Sequence, residues 1–219
     1  QISDLHCKNF GKNQSELISK IKAAKPDMIA LTGDIVDEDH DSISSVEDLL
    51  KGIKDLAPIY FVTGNHELTS LAATQYQELL ALFQKYGVTD LDNDSVKLKK
   101  GGQSITLYGR QYFSQYLTDS LPIASDKDFD ILLYHGSDNF KEIAPYHYDL
   151  ILSGHAHGGI VRLPIWGGIF GNDGTFFPEY AGGEYTIGDA TLISSRGLGD
   201  ASIPRFNNPP ELVVIKLNP

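Results

Sequence analysis

Apolar positions recur with two different periods along this chain, and the change of period divides it. From Gln14 to Ala24 the residues Leu17, Ile18, Ile21 and Ala24 share one helical face, and Lys25-Pro26-Asp27 ends the pattern. Met28 to Thr32 is then an apolar strand. Ser42 to Lys51 reads as a second helix and Ile59 to Val62 as a strand. About Ser70 to Tyr86 reads as a third helix, with Leu79, Leu80, Phe83 and Tyr86 in register and Gly87 as its stop. Strands alternating with helices predict a parallel sheet with right-handed crossovers.

From Val88 onward the runs shorten and alternate, separated by Gly-Gly, Asn-Asp and Gly-Asp pairs. Val96 to Lys99 pairs with Ile105 to Tyr108, and Glu184 to Ile187 with Thr191 to Ser194 through Gly188-Asp189. Ile131 to Tyr134 and Leu150 to Ser153 are apolar strands, and Glu211 to Leu217 predicts a β-branched closing strand. This order predicts an α/β fold: a four-layer α/β/β/α sandwich of two mixed sheets flanked by helices, with residues 1–219 as one domain. Neither a run of 18 apolar residues nor a basic leader is visible, so the chain as given is expected to be soluble. Gln1-Ile2-Ser3-Asp4 reads as the end of a strand whose start precedes residue 1, where a leader or anchor would belong.

The chemistry gathers where apolar runs end. These ends are Ser3-Asp4-Leu5-His6, Gly33-Asp34-Ile35-Val36-Asp37, Gly64-Asn65-His66-Glu67, His135 and Gly154-His155-Ala156-His157. Each alone is ordinary turn chemistry. Repeated beyond the carboxyl ends of strands, they predict one shared site, and its donors make it a metal centre. Asp4, His6, Asp34, Asn65, His135, His155 and His157 offer oxygen or imidazole nitrogen, a set suited to manganese, iron or zinc. Seven ligands are too many for one tetrahedral ion and suit two ions about 3.5–4 Å apart, with Asp34 as the bridging carboxylate. A water between two such ions becomes a nucleophile near neutral pH, attacking a phosphoryl group as hydroxide, and His66 is placed to protonate the leaving oxygen.

The net charge of −11 argues against non-specific nucleic-acid binding, which needs clustered Lys and Arg. Two bound ions would bring it to about −7. The single cysteine, Cys7, excludes an internal disulfide and is expected to be a small buried residue.

In order and composition these motifs resemble the calcineurin-like metallophosphoesterases, whose signature is Asp-x-His, Gly-Asp-x-x-Asp, Gly-Asn-His-Asp/Glu, a lone His and Gly-His-x-His. The resemblance spans residues 4 to 157. It implies one ion held by Asp4, His6, Asp34 and His157 and another by Asp34, Asn65, His135 and His155, with His66 as acid or oxyanion stabiliser. Gly158 to Pro164, Ser195 to Gly199 and Arg205 to Glu211 look like the bacterial membrane-associated branch. That likeness implies a membrane or cell-envelope location and a phosphodiester, pyrophosphate or phosphomonoester substrate, lipid-linked or nucleotide-diphosphate-linked, as in UDP-diacylglucosamine hydrolysis. Gly136-Ser137-Asp138 departs from the Pro-Asp expected after His135.

Around this centre, Asp37 and Glu67 are expected to orient loops or ligating histidines, and His40 to be a solvated surface residue. Arg162 and Arg196, with Arg205, are candidates to clamp substrate phosphate. Leu163 to Phe170, with Phe176 and Phe177, reads either as packing between the sheets or as an acyl-chain or membrane-facing lid. A monomer is expected. The open alternatives are a non-catalytic binding scaffold, which loss of ligands would mark, and a dinuclear hydrolase of a non-phosphate bond.

Overall fold

Successive residues of a strand point to opposite faces, and the apolar contacts of this protein sort accordingly. The computed structural model describes all residues except 41, 113–116, 118–120, 126–127, 172–173, 201–203 and 219, and the side chain of residue 73. Strands β1 (Ile29–Thr32), β2 (Ile59–Val62) and β3 (Val88–Asp90) form a parallel sheet, with Ile2 bridged to Leu31. Ile29, Leu31, Ile59 and Phe61 pack against Leu17 and Ile21 of α1 (Ser15–Ala24), Leu49, Leu50 and Ile53 of α2 (Ser44–Ile53), and Leu79 and Phe83 of α3 (Ala73–Tyr86). Truncating any of these buried leucines to alanine costs about 2–5 kcal/mol.

Ala30, Tyr60 and Val62 face the other way, onto Leu107, Ile131, Leu133, Leu150 and Leu152. These belong to a second sheet of β4 (Ser95–Lys100), β5 (Gln103–Gly109), β6 (Phe129–Gly136), β7 (Leu150–Gly154), β10 (Gly183–Ile187) and β11 (Ala190–Ser194), in the order β10-β11-β7-β6-β5-β4. On its outer face Leu132, Tyr134, Ile151 and Leu192 pack with Phe140 and Ile143 of α4 (Phe140–Ile143). The result is the expected four layers. Only the second sheet is mixed, because β4–β5 and β10–β11 are antiparallel hairpin pairs whereas helical crossovers keep the first sheet parallel.

Other boundaries shift for local reasons. Residues His66–Ser70 form a separate π-helical turn, so α3 begins at Ala73. It stops at Gly87, which is left-handed at φ 71°. Glu211 to Leu217 is not a strand: its backbone makes isolated bonds instead of a ladder, Val213 O accepting from the Gln1 amine (2.8 Å) and Glu211 N–H donating to Gly197 O (3.0 Å). Its β-branched residues fit a half-buried surface without a ladder to join. The apolar segment after His157 makes a small hairpin of β8 (Val161–Leu163) and β9 (Gly167–Phe170) instead of filling the space between the sheets. Among the described residues no helix is long and apolar enough to cross a membrane.

Candidate metal centre

Loops leaving β1, β2 and β7, the end of β6 and the Asp4–His6 turn converge on one point. Asp4, His6, Asp34, His135 and His157 are buried, and Asn65, His66 and His155 are partly so. Asp4 (φ 49°), His6 (47°), Asp34 (51°), His155 (71°) and His157 (48°) all have left-handed backbone. Each such residue costs of order 1–3 kcal/mol, and strain collected at one place marks a functional site. The neighbouring glycines are spatial requirements: a Cβ on Gly64 would lie 2.2 Å from Asp34 Oδ1, and one on Gly154 would lie 2.3 Å from Asp4 Oδ2.

The carboxylates and rings interleave. Asp34 Oδ2 is 3.0 Å from His135 Nε2 and 4.0 Å from both His6 Nε2 and His66 Nε2, while Asp34 Oδ1 accepts the His66 N–H at 2.9 Å. Asp4 Oδ1 lies 3.5 Å from His157 Nε2 and 3.9 Å from His135 Nε2, and accepts the His155 N–H at 3.0 Å. Three overlapping groups have ligand atoms within 4.8 Å of one another: Asp4/His6/His157, His6/Asp34/His66 and Asp34/His135/His155.

Two observations test whether a divalent ion suits these residues. Asp4 Oδ2, Asn65 Oδ1 and His155 Nδ1 are buried without a hydrogen-bond partner, and all three residues belong to the predicted ligand set. Buried polar atoms rarely lack partners, so three orphans in one constellation fit a cation. The Nε2 atoms of His6 and His157 are 3.2 Å apart. That matches the roughly 3.0–3.4 Å between two nitrogens each about 2.1 Å from one ion. The remaining ring atoms are oriented: His135 Nδ1 lies 2.8 Å from Thr32 O, and His6 Nδ1 lies 3.4 Å from Asp37 Oδ2.

The electrostatics follow from burial and proximity. Burial lowers His135, but the Asp34 and Asp4 carboxylates outweigh it and push the ring up to about 10. Burial raises Asp34, yet His135, His6 and His66 together hold it below the usual carboxylate range. His157 is pushed down to about 3 chiefly by burial, with the Asp4 carboxylate opposing and His6 and Arg205 adding to the fall. Burial likewise lowers His155, reinforced by His135.

The two orienting acids differ in what they hold. Glu67 takes four backbone N–H groups: Oε2 accepts from Asp34 (2.9 Å) and Gly64 (2.8 Å), Oε1 from Ile35 (2.7 Å) and Val36 (3.3 Å). It thus ties the Asp34 loop to the Asn65 loop. Asp37 lies between His6 and His40, with His40 Nδ1 at 2.6 Å, so His40 belongs to this network although half exposed.

Sequence reasoning missed Glu38, whose Oε2 lies 2.5 Å from His66 Nδ1, and Tyr112, whose ring sits 5.4 Å from His135 and 5.3 Å from His155. Glu38 was hidden in an acidic run, and Tyr112 carries no motif. Cys7 is buried and its thiol is pushed up to about 11, chiefly by burial. Arg162 Nη1 donates to Gly158 O (2.7 Å), and Arg196 pairs with Glu211 (2.8 Å). Those contacts staple loops and do not reach the cluster. Arg205 donates to His157, Arg196 and Gly199 carbonyls.

A family model described as calcineurin-like phosphoesterase matches residues 1–159. An uncharacterised metallophosphoesterase of Bacillus subtilis, YkuE, is 30% identical over an alignment covering 99% of this chain and 77% of the relative. Phosphodiesterase YaeI of Escherichia coli is 26% identical, with 99% and 80% covered. Two solved structures share the fold. A protein assigned as a 5′-nucleotidase from Staphylococcus aureus has a TM-score of 0.54 at 13% identity, covering 90% of this chain and 48% of its own. Sulfate thiohydrolase SoxB of Thermus thermophilus has 0.52 at 16%, covering 84% and 37%. The chain thus spans less than half of either solved protein. It belongs to the calcineurin-like phosphoesterase family and is a metal-dependent hydrolase.

Proposed function

We propose that residues 1–219 act as one monomeric domain that hydrolyses a phosphodiester or pyrophosphate bond with two divalent ions. Asp4, His6, Asp34 and His157 hold the first, and Asp34, Asn65, His135 and His155 the second. One observation carries this reading: Asp34 Oδ2 faces His135 Nε2 at 3.0 Å and His6 Nε2 at 4.0 Å, a single carboxylate oxygen between a ring from each half. When bound, such ions neutralise phosphoryl oxygens and lower the pKa of a bound water to about 7. The chain supplies orientation and a proton. Glu38 holds His66 at Nδ1, which leaves Nε2 toward the centre to protonate the leaving oxygen. Asp37 and Glu67 fix the His6 ring and the Asp34 loop. Arg162 and Arg196 carry positive charge to the loop beside His157, and their role is to meet outer phosphoryl oxygens after exchanging Gly158 O and Glu211.

The exposed hairpin supports an apolar substrate tail and contact with a membrane surface. Ile165 is fully exposed and Trp166 is 66% exposed, with Leu163, Phe176 and Phe177 exposed beside them. Trp166 and Phe177 are 6.3 Å apart. Side chains so placed add nothing to the core, whereas burying one against a lipid is worth about 1.5–3 kcal/mol. The test is a manganese-supplemented panel of a lipid-tailed diester, its water-soluble analogue, a phosphomonoester and a carboxylic ester. The lipid-tailed diester should show the highest kcat/KM, and Trp166→Ala should erase about a tenfold preference while sparing the soluble diester. Equal loss on both substrates contradicts the lipid assignment. Turnover of the carboxylic ester alone contradicts the phosphoester reading.

A further inference from the structure

The two halves of the centre differ in one support. Asp34, Asn65 and His135 are held by Glu67, by Thr32 O and by the ends of β1, β2 and β6. Asp4 and His6 also lean on the first part of the chain, through Asp4 N–H to Gly33 O (3.0 Å), His6 N–H to Asp34 O (3.1 Å) and the His6–Asp37 contact, but they and His157 are held in addition from beyond residue 159, where the family match ends. Leu198 N–H donates to Ser3 O (3.1 Å) and Gly199 N–H to Asp4 O (2.5 Å). A Cβ on Gly199 would lie 2.7 Å from Asp4 O and 2.8 Å from His6 Cβ, so no larger residue permits this approach.

Arg205 joins that loop to His157. Its Nη2 is 3.2 Å from His157 Nδ1 and 2.5 Å from Gly199 O; Nη1 donates to His157 O (3.4 Å) and Arg196 O (2.7 Å), and Nε to Gly199 O (2.8 Å). A guanidinium has five N–H groups in a fixed fork, and four of them donate to carbonyls here. Asn208, buried, donates to His157 O at 2.6 Å and Ile160 O at 3.3 Å. Arg205 is therefore occupied in holding the ligand loop, which displaces its expected part in clamping phosphate.

We propose that Arg205 and Asn208 are positioning residues for the Asp4–His6–His157 half of the centre, so that one ion depends on them and the other does not. This rests on the two-ion reading above. Without the guanidinium, the carbonyls of Arg196, His157 and Gly199 lose their donors, and the backbone that sets His157 loses its tie to the Gly199 loop. Partners behind a ligating histidine are worth about 10–100-fold in metal affinity.

Calorimetric titration of the chelator-stripped chain with Mn²⁺ tests the proposal. The wild type should take two ions. Arg205→Ala should weaken one by about 10–100-fold and leave the other within about twofold, and Asn208→Ala should weaken the same one less. Arg205→Lys should recover part of the loss, since an ammonium reaches one or two carbonyls but not the whole set. His155→Ala should retain one ion, and adding Arg205→Ala should weaken that remaining ion by the same factor of about 10–100, which identifies the ion concerned. Leu192→Ala, in the outer core, supplies a control destabilised elsewhere and should keep both. Equal weakening of both ions, no weakening, or the same selective loss in Leu192→Ala overturns the proposal. A wild type that binds one ion overturns the two-ion reading instead. Should Arg205→Ala not fold, Arg205→Lys and Asn208→Ala give the same comparison.

Discussion

Replacing Glu67 by glutamine changes one oxygen to an amide nitrogen where the structure needs four acceptances. Whichever way the amide is turned, its NH₂ faces two backbone donors, either Asp34 and Gly64 or Ile35 and Val36. Each buried donor left unmet costs about 1–3 kcal/mol, so two cost about 2–6. Removing a buried charge returns part of that, because burial and the Asp34 carboxylate already raise the Glu67 pKa. The net expectation is a loss of about 2–4 kcal/mol, or roughly 5–15 °C in Tm for a domain of this size. Glu67 joins the loops bearing Asp34 and Asn65, so affinity for metal at the shared carboxylate should also fall about 10–100-fold. Differential scanning calorimetry with and without Mn²⁺ reads the first effect, and equilibrium dialysis the second. A Tm change below about 2 °C with metal affinity intact refutes the claim that this carboxylate ties the loops.

Metal affinity should depend on pH through His135, whose pKa is raised to about 10 by Asp34 and Asp4 against the effect of burial. The ring is protonated at pH 7, and an ion taken at Nε2 displaces that proton, so affinity should rise up to about 30-fold between pH 7 and 8.5. A flat profile in competition with a chelator argues against this ligand. His66→Gln should keep its metals yet slow hydrolysis by about 10²–10⁴-fold, less for leaving groups of low pKa. Equal losses for nitrophenyl and alkyl leaving groups would mean that the ring transfers no proton. Glu38→Gln should give a smaller loss of kcat at unchanged KM, and an unchanged kcat removes Glu38 from the account.

The elements that could be read in the sequence are those whose periodicity is also their packing. Ile59 to Val62 was expected to be a strand and is one, because alternate residues fill the helix-facing and sheet-facing layers. The motif residues at strand ends converge because the α/β framework brings those ends together. What stayed illegible depends on contacts between segments far apart in sequence. Arg205 meets His157 across 48 positions, and Glu38 meets His66 across 28, with no spacing rule to announce either. Glu211 to Leu217 was misread because β-branched composition reports a fit to a half-buried surface and says nothing of the backbone partners available.

Metal stoichiometry tests the central claim most directly. Elemental analysis of gently purified protein should approach two divalent ions per chain, Asp34→Asn should lose affinity for both, and chelation should abolish phosphodiesterase activity until manganese is returned. A single tightly held ion, with hydrolysis indifferent to chelator and an Asp34→Asn variant that still retains it, would contradict the account.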